Sequence, residues 1–189
     1  MKLAHFALTA ALLSLLSACS SLTSSTYRDP NMDFGAIQAV GVMPFQNLSR
    51  ENLAADRVRN VFMNRLLSTG TLYVLPVGEI ARVVNQMEMQ VPATPSPAEV
   101  IKLAGTLKTQ AIITGVVQEY GEVRSGSSTA NLITVSVHML EAQTGRIVWS
   151  ASSTKGGIGI TDRLFGGGGQ PMYDVTRDAV DDLIDKLFK

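Results

Sequence analysis

Thiols are all but missing from this 189-residue chain: Cys19 is its one cysteine. No intrachain disulfide can form, and once Cys19 is covalently occupied no cysteine nucleophile or thiolate metal site remains. Histidine is nearly as scarce, with His5 and His138 alone. A metal centre needs several converging ligands, which one histidine outside the N-terminal segment does not supply. No G-x-S-x-G accompanies it, so His138 reads as a solvent-facing residue on the polar side of a strand. An excess of either charge is missing too: 16 Lys+Arg stand against 16 Asp+Glu. A nucleic-acid binder would be clearly basic, and a polybasic membrane face would need clustered cations. Finally, the first apolar run, 3–16, holds roughly 14 residues, short of the ~20 that a spanning helix requires.

What that run does have is the anatomy of a secretory signal. Met1 and Lys2 precede it, His5 and small hydroxyl residues alone interrupt it, and Leu16-Ser17-Ala18-Cys19 ends it. The chain then turns polar through Ser20, Ser21, Thr23, Ser24, Ser25 and Thr26. A charged start, an apolar middle and small residues at a cut site define such a signal. A cysteine directly after Leu-Ser-Ala resembles the lipobox of bacterial lipoproteins. That resemblance implies cleavage between Ala18 and Cys19, acylation of Cys19 and, with Ser20 next in line, delivery to the periplasmic face of the outer membrane. Three acyl chains would exceed the two signals that stable anchoring takes. Loss of residues 1–18 leaves 171, suiting one domain plus a tether.

The segment 19–35 is Ser/Thr-rich with Asp29-Pro30-Asn31 and no apolar period, which predicts a flexible tether. Residues 37–45 form an apolar run fitting a buried strand that must finish near Pro44. A helix follows, with Ser49 or Asn52 as N-cap, Leu53, Val58, Val61, Phe62 and Leu66 near one face, and Gly70 as its stop. Residues 71–75 predict a second strand closed by Pro76. Ile80, Val83, Val84 and Met87 have helical spacing. Ser96-Pro97-Ala98-Glu99 combines a serine cap, a first-turn proline and a capping-box glutamate, with Val100, Leu103, Ala104 and Leu107 continuing the apolar stripe. Residues 111–120 predict a central strand and 121–130 a small, polar, mobile loop. Ile133, Val135, Val137 and Met139 alternate with Thr134, Ser136 and His138, a strand with one wet face. Its return strand starts at Ile147 after a turn in which Gly145 supplies positive φ. From about Pro171 a last helix places Val180, Leu183, Ile184 and Leu187 inward, with Asp178, Asp181, Asp182 and Asp185 solvated. The order β-α-β-α-α-β-β-β-α predicts an α+β fold, a mixed β-sheet packed with helices.

The glycine-rich stretch 155–170 joins a strand to a helix, as phosphate loops do. It lacks G-x-x-x-x-G-K-[ST], Gly157-Ile158-Gly159 is not followed by x-x-Gly, and no strand follows the last helix to complete a βαβ unit. It reads as a flexible loop in which Leu164, Phe165, Gly166 and Gly167 are candidates for a contact surface. No cofactor is expected.

Val40-Gly-Val-Met-Pro-Phe-Gln-Asn47, the helix ending Leu66-Leu-Ser-Thr-Gly70 and then Leu72-Tyr-Val-Leu-Pro76 together resemble the opening of a superfamily of envelope lipoproteins. Its members include the curli secretion lipoprotein CsgG, the penicillin-binding-protein activator LpoB and the N-terminal domain of TolB. Thr109-Gln-Ala-Ile-Ile-Thr-Gly-Val116 and the hairpin Val137-His-Met-Leu-Glu-Ala-Gln-Thr-Gly-Arg-Ile-Val-Trp-Ser150 extend the likeness over about residues 37–188. The resemblance implies an anticodon-binding-domain-like sandwich at 36–189, no catalysis, and work in envelope assembly or trafficking through protein contacts.

Two branches of that superfamily make different demands. Pore-forming members carry long insertions whose strands cross the membrane, and such a strand needs ~9–11 residues; 121–130 and 155–170 read as too short or too glycine-rich. Synthase activators reach an inner-membrane enzyme by a long tether, whereas ~15 residues stretch to at most ~50 Å. The expectation is a non-catalytic outer-membrane lipoprotein, accessory subunit or scaffold, with an envelope protein or its own copies as partner and no nucleic acid or small-molecule substrate. The alternatives are a subunit of an oligomeric secretion channel and a small periplasmic hydrolase.

Overall fold

The structure, a computed structural model, describes residues 26–125, 128–158 and 169–189, with Ser125 by its backbone only. In chain order the described elements are β1 (Thr26–Arg28), a 3-10 turn (Phe34–Ala36), β2 (Ala39–Val42), β3 (Gln46–Asn47), α1 (Ala54–Ser68), β4 (Tyr73–Val74), α2 (Val77–Gln86), α3 (Pro97–Leu107), β5 (Ala111–Ser125), β6 (Ser128–Glu141), β7 (Ile147–Gly156) and α4 (Met172–Phe188). The strands form one sheet in the order β1-β7-β6-β5-β2-β4, with β3 also on β5. β1, β7, β6 and β5 pair antiparallel; β2 and β3 lie parallel to β5, and β4 parallel to β2. This is the expected mixed α+β sheet, with two short strands added.

One face of the sheet carries the larger core. Val42, Ile113, Val117, Val135, Val137, Met139 and Trp149 are packed under Val58, Phe62 and Leu66 of α1 and Val175, Val180, Leu183 and Leu187 of α4. Burying each such side chain stabilises the fold by about 1.5–3 kcal/mol, so the helices are held by their stripes. On the opposite face Met43, Ile112 and Leu140 meet Ile80, Val83, Val84, Val100, Leu103 and Ala104 of α2 and α3. These two helices cover only the β2–β5 side. Over β6 and β7 that face presents Thr134, Ser136, His138, Ser150 and Ser152, each half-buried.

Local chemistry explains several elements. In α3 the Ser96 hydroxyl accepts from the Glu99 amide while Glu99 accepts from the Ser96 amide at 2.7 Å, the expected capping box. The β6–β7 turn holds Gly145 at φ 67°, where a Cβ would also strike the Pro97 carbonyl oxygen at 2.5 Å. Gly115 serves a different need: a Cβ there would lie 2.7 Å from the Phe45 ring. Phe45 can therefore lie down on the sheet only because β5 has no side chain at that point. β2 and β3 flank Pro44, which cannot donate to the ladder. Both pair with β5, the first through Val42 opposite Ile113 and the second through Gln46 opposite Val116.

The structure corrects four expectations. The tether does not reach Gly35, because β1 is already laddered onto β7, Thr26 facing Ala151 and Arg28 facing Trp149. Edge pairing runs through backbone groups and leaves no apolar period to read. Residues 121–130 are the far end of the β5–β6 hairpin, paired out to Ser125 opposite Ser128. Neither Ser49 nor Asn52 caps α1. Leu53 holds that position without a side-chain bond, and the local polar groups serve the loop before it. There the Asn47 side chain donates to the Glu51 carbonyl at 2.8 Å and accepts from the Ser49 amide at 3.0 Å. The strand expected at 71–75 shrinks to Tyr73–Val74.

Candidate functional site

Ala18 and Cys19, and the loop residues Leu164, Phe165, Gly166 and Gly167, lie outside the described residues. What is described is how the loop's two ends are held. The Asn131 carbonyl accepts from the Gly157 amide at 2.8 Å, and the Asn131 side chain donates to the Gln170 carbonyl at 2.8 Å. One residue of β6 thus gathers both ends of the segment beside the far half of the β5–β6 hairpin.

His138 is half-buried rather than solvent-facing, with Nδ1 2.9 Å from the Ser150 hydroxyl. Burial pushes its pKa below the ordinary imidazole value. The pair sits on the open sheet face, and neither residue lines any of the three cavities described below. Among the described residues no group of three or more His, Cys, Asp or Glu could hold a metal ion. Nor is any described helix long and apolar enough to cross a membrane.

Of the aspartates of α4, expected on a solvated face, Asp185 is exposed and the other three are half-buried, and all four are ion-paired. Asp181 pairs with Arg65 of α1, Asp178 with Arg177 at 3.2 Å and Asp185 with Lys189 at 3.5 Å. Asp182 meets Lys186 at 2.5 Å and Lys155 of β7 at 3.8 Å. Burial raises the Asp182 pKa, but the hydrogen bond and charge of Lys186, with Lys155 behind it, more than offset this, and the carboxyl titrates below its usual range. Lys186 also donates to the Ser152 carbonyl at 2.8 Å, and its own carbonyl accepts from the Trp149 indole at 3.3 Å. Asp181 and Asp182 thus link α4 to α1 and β7, whereas Asp178 and Asp185 pair with neighbours along α4 and its C-terminal cap.

The two ends of the sheet differ. At the end where β2 and β5 begin, two hollows lie on either side of the segment 29–37. One, about 330 Å³, is lined by Arg28, Phe34, Leu72, Met139, Leu187 and Phe188 among others. The second, about 350 Å³, is lined by Asn31, Asp33, Gln110 and Glu141 together with Met32, Ala36 and Ile37. Ile37 borders both. Beside the first hollow, Tyr73 is 62% and Phe188 42% exposed. At the opposite end a wider cleft, about 700 Å³, lies between the loop around Arg50 and the β5–β6 hairpin. Its wall alternates charges, Arg50, Glu51, Arg57, Glu119 and Glu122. Phe34 and Phe188 stand at the margin of the first hollow, whose lining mixes apolar side chains with Arg28, Gln38 and Thr71.

Sequence reading missed this end entirely. Tyr27 and Phe34 carried the available signal, since aromatic residues are out of place in a disordered tether.

A family model described as peptidoglycan-synthase activator LpoB matches residues 15–154. No curated protein matches the sequence. Among solved structures, a PelC dodecamer from Paraburkholderia phytofirmans is similar with a TM-score of 0.58 at 16% identity, covering 87% of this chain and 98% of that one. Lipoprotein GNA1162 from Neisseria meningitidis gives 0.58 at 18%, covering 78% and 98%. The LpoB C-terminal domain from Salmonella enterica gives 0.50 at 16%, covering 67% and 86%. At these identities the likeness is one of fold.

Proposed function

This chain belongs to the peptidoglycan-synthase activator LpoB family, and we propose that it is a non-catalytic lipoprotein that binds a peptidoglycan synthase from the outer membrane. In this reading the chain is cut after Ala18, acylated on Cys19 and held on the periplasmic face. The observation that carries the contact surface is the hollow between Arg28, Phe34, Leu72 and Phe188, which groups apolar side chains at one end of the sheet. Seven residue steps separate Cys19 from the sheet at Thr26, a reach of at most about 25 Å. The domain therefore works close to its own membrane, and the synthase must extend to meet it.

The test is site-specific photocrosslinking in cells. A crosslinker at Leu72 or Phe188 should trap a peptidoglycan synthase, while one at Thr154, on the open sheet face, should not. Trapping from Thr154 alone would move the contact to the other surface, and recovery of no synthase from any position would overturn the assignment. Lipidation is checked separately: Cys19→Ala should abolish acyl labelling.

A second reading, assembly of several copies, is favoured by the open sheet edges. Among the described residues β1 and β4, three and two residues long, are the edge strands of the sheet, and Tyr73 stands exposed on the latter. Distinct edges joined head to tail close into rings where the rotation per subunit closes, and run on as filaments where it does not. The similar PelC chain forms a dodecamer, and the mass of the detergent-extracted protein would decide. A channel formed by the β5–β6 hairpin is poorly supported. Past Leu132, opposite the end of β7 at Gly156, the hairpin projects by only a few residue pairs, which include Glu122 and Arg124. That is well under the ~9–11 residues of a spanning strand.

A further inference from the structure

The outer half of β5 is paired on one side only. The strand runs from Ala111 to Ser125 and is laddered to β6 along that whole length. On its other side it meets β2 opposite Ala111, Ile112 and Ile113, and β3 opposite Val116 and Val117. The last rung there is the Leu48 amide donating to the Val117 carbonyl at 2.9 Å. Asn47 then turns the chain out of this lane, its side chain accepting from the Ser49 amide and donating to the Glu51 carbonyl. Among the described residues no strand takes over the lane, and residues 118–123 line the cleft of about 700 Å³.

The side chains at the start of this stretch leave its backbone uncovered. After a register shift past Val117, Gln118 donates to the Ser136 hydroxyl at 3.2 Å and Glu119 accepts from the Thr134 hydroxyl at 2.7 Å. Both therefore lean over β6, away from the empty lane, and Gly121 has no side chain to block it. A free edge is ordinarily blunted by charges, proline or a covering element; here Glu119 is drawn off it, and the loop around Arg50 forms only the facing wall. Alternate residues of a strand turn both amide and carbonyl to the same edge, so about three of these six offer both groups to the cleft.

The lining states what chemistry fits. Tyr120 and Met172, both half-buried, belong to the rim of the larger core and border the cleft, which favours apolar residues at alternate positions of an added strand. Of the charges, Glu51 meets Arg57 at 3.6 Å, Glu122 meets Arg124 at 3.2 Å, and Glu119 has the Thr134 hydroxyl. Arg50 is exposed and, among the described residues, has neither ion pair nor hydrogen bond. We infer that this cleft is a second binding site, where an extended acidic segment of a partner protein adds a strand to β5 beyond β3. Main-chain bonds supply the affinity and a carboxylate opposite Arg50 the selectivity. The cleft lies at the other end of the sheet from the hollow at Phe34 and Phe188, so the two can be occupied together.

The probe is a phage library of random nine-residue segments, selected on the detergent-solubilised full chain and followed by amide exchange with the peptides it yields. In the free chain alternate amides of residues 118–123 should exchange fast. Selected peptides should be acidic, with apolar residues at every second position, and should slow those amides about tenfold or more. Methylating alternate backbone nitrogens of a peptide should abolish binding in one of the two alternating patterns and spare it in the other, which recognition by side chains alone does not produce. Arg50→Glu, a change on an exposed loop, should weaken the selected peptides about tenfold, the loss of one hydrogen bond between charged groups, and a fresh selection on it should favour basic segments. Slow exchange of all residues 118–123 in the free chain, peptides that protect another surface, equal tolerance of both methylation patterns, or no enrichment at all would each overturn the inference.

Discussion

The Arg28 guanidinium lies 3.7 Å from the centroid of the Phe34 ring and donates to the Leu187 carbonyl at 3.0 Å. One side chain thus fastens the entering chain to the 3-10 turn and to the last turn of α4, 159 positions further on. It also lines the apolar hollow, so the N-terminal attachment and the proposed binding seat are one structure. A cation on an aromatic face and a charge-assisted hydrogen bond each contribute on the order of 0.5–2 kcal/mol at a partly exposed site. Arg28→Ala should therefore lower stability by about 1–2 kcal/mol. Its sharper signature would be faster amide exchange through residues 26–36, with the β6–β7 core unchanged. Unaltered exchange in that segment would mean β1 is held by its ladder alone.

Phe45 and Gly115 make a second, tighter relationship. The ring occupies the space a Cβ would need, with three ring atoms within 2.8 Å of that position, and Phe45 in turn meets Phe62 at a centroid distance of 5.8 Å. Gly115→Ala should force Phe45 out of its place and cost about 1–3 kcal/mol, as overpacking does. A urea melt reads this directly. Adding Phe45→Leu should recover part of the loss, the non-additivity expected of residues in contact.

How far the sequence reveals this fold depends on what kind of bond makes each part. The α3 start was legible because Ser96, Pro97 and Glu99 satisfy one another within a single turn. The β6–β7 hairpin was legible because buried and half-buried residues alternate along β6, and the inward stripe of α4 because all four named residues are buried. The extension of β5 to Ser125 was not, since Gly121, Glu122 and Arg124 give a pairing strand no apolar face to announce it. β1 and β3, three and two residues long, pair through backbone alone. The hollow was invisible for a different reason. Arg28, Phe34, Leu72 and Phe188 are unremarkable singly, and only the parallel run of β2 beside β5 and the return of α4 bring them together.

The half-buried His138 makes stability pH-dependent, and the sign follows from its lowered pKa. Well above the ordinary imidazole value of about 6.5, the ring is neutral in both folded and unfolded chains and its titration does not affect stability. As pH falls through that value the unfolded chain binds a proton that the fold resists, so stability drops until the folded pKa is passed. Thr114 and Ser150, its cross-strand neighbours, bring no carboxylate to reverse this. Urea midpoints should therefore fall between about pH 8 and about pH 5, and His138→Gln should flatten the decline. The lower limit stays above the range where Asp182, whose pKa is depressed, would begin to lose its pairing with Lys186. A profile unchanged by His138→Gln would assign the decline to another group.

Arg59 poses the opposite problem, a cation that stays charged in a buried place. It is 7% exposed on α1, donates to the carbonyl of Val42 at the end of β2, and leaves its Nε without a partner. Burial lowers its pKa while Asp56 raises it, and a guanidinium remains protonated regardless. Its position is telling: β4 pairs with β2 only as far as Val40, whose carbonyl takes the Leu75 amide, so the guanidinium supplies the donor for the next carbonyl on that edge, Val42. Hydrogen bonds to charged groups contribute about 1.5–3 kcal/mol, and Arg59→Ala, which also empties the space, should cost at least that. Arg59→Met keeps the volume and removes the buried charge, whose desolvation offsets much of what the bond supplies. It should fall within about 1 kcal/mol of the unmodified chain. Chemical denaturation of the pair separates packing from hydrogen bonding. If Arg59→Met is as damaging as Arg59→Ala, the donor to Val42, and not the filled space, holds α1 against the sheet.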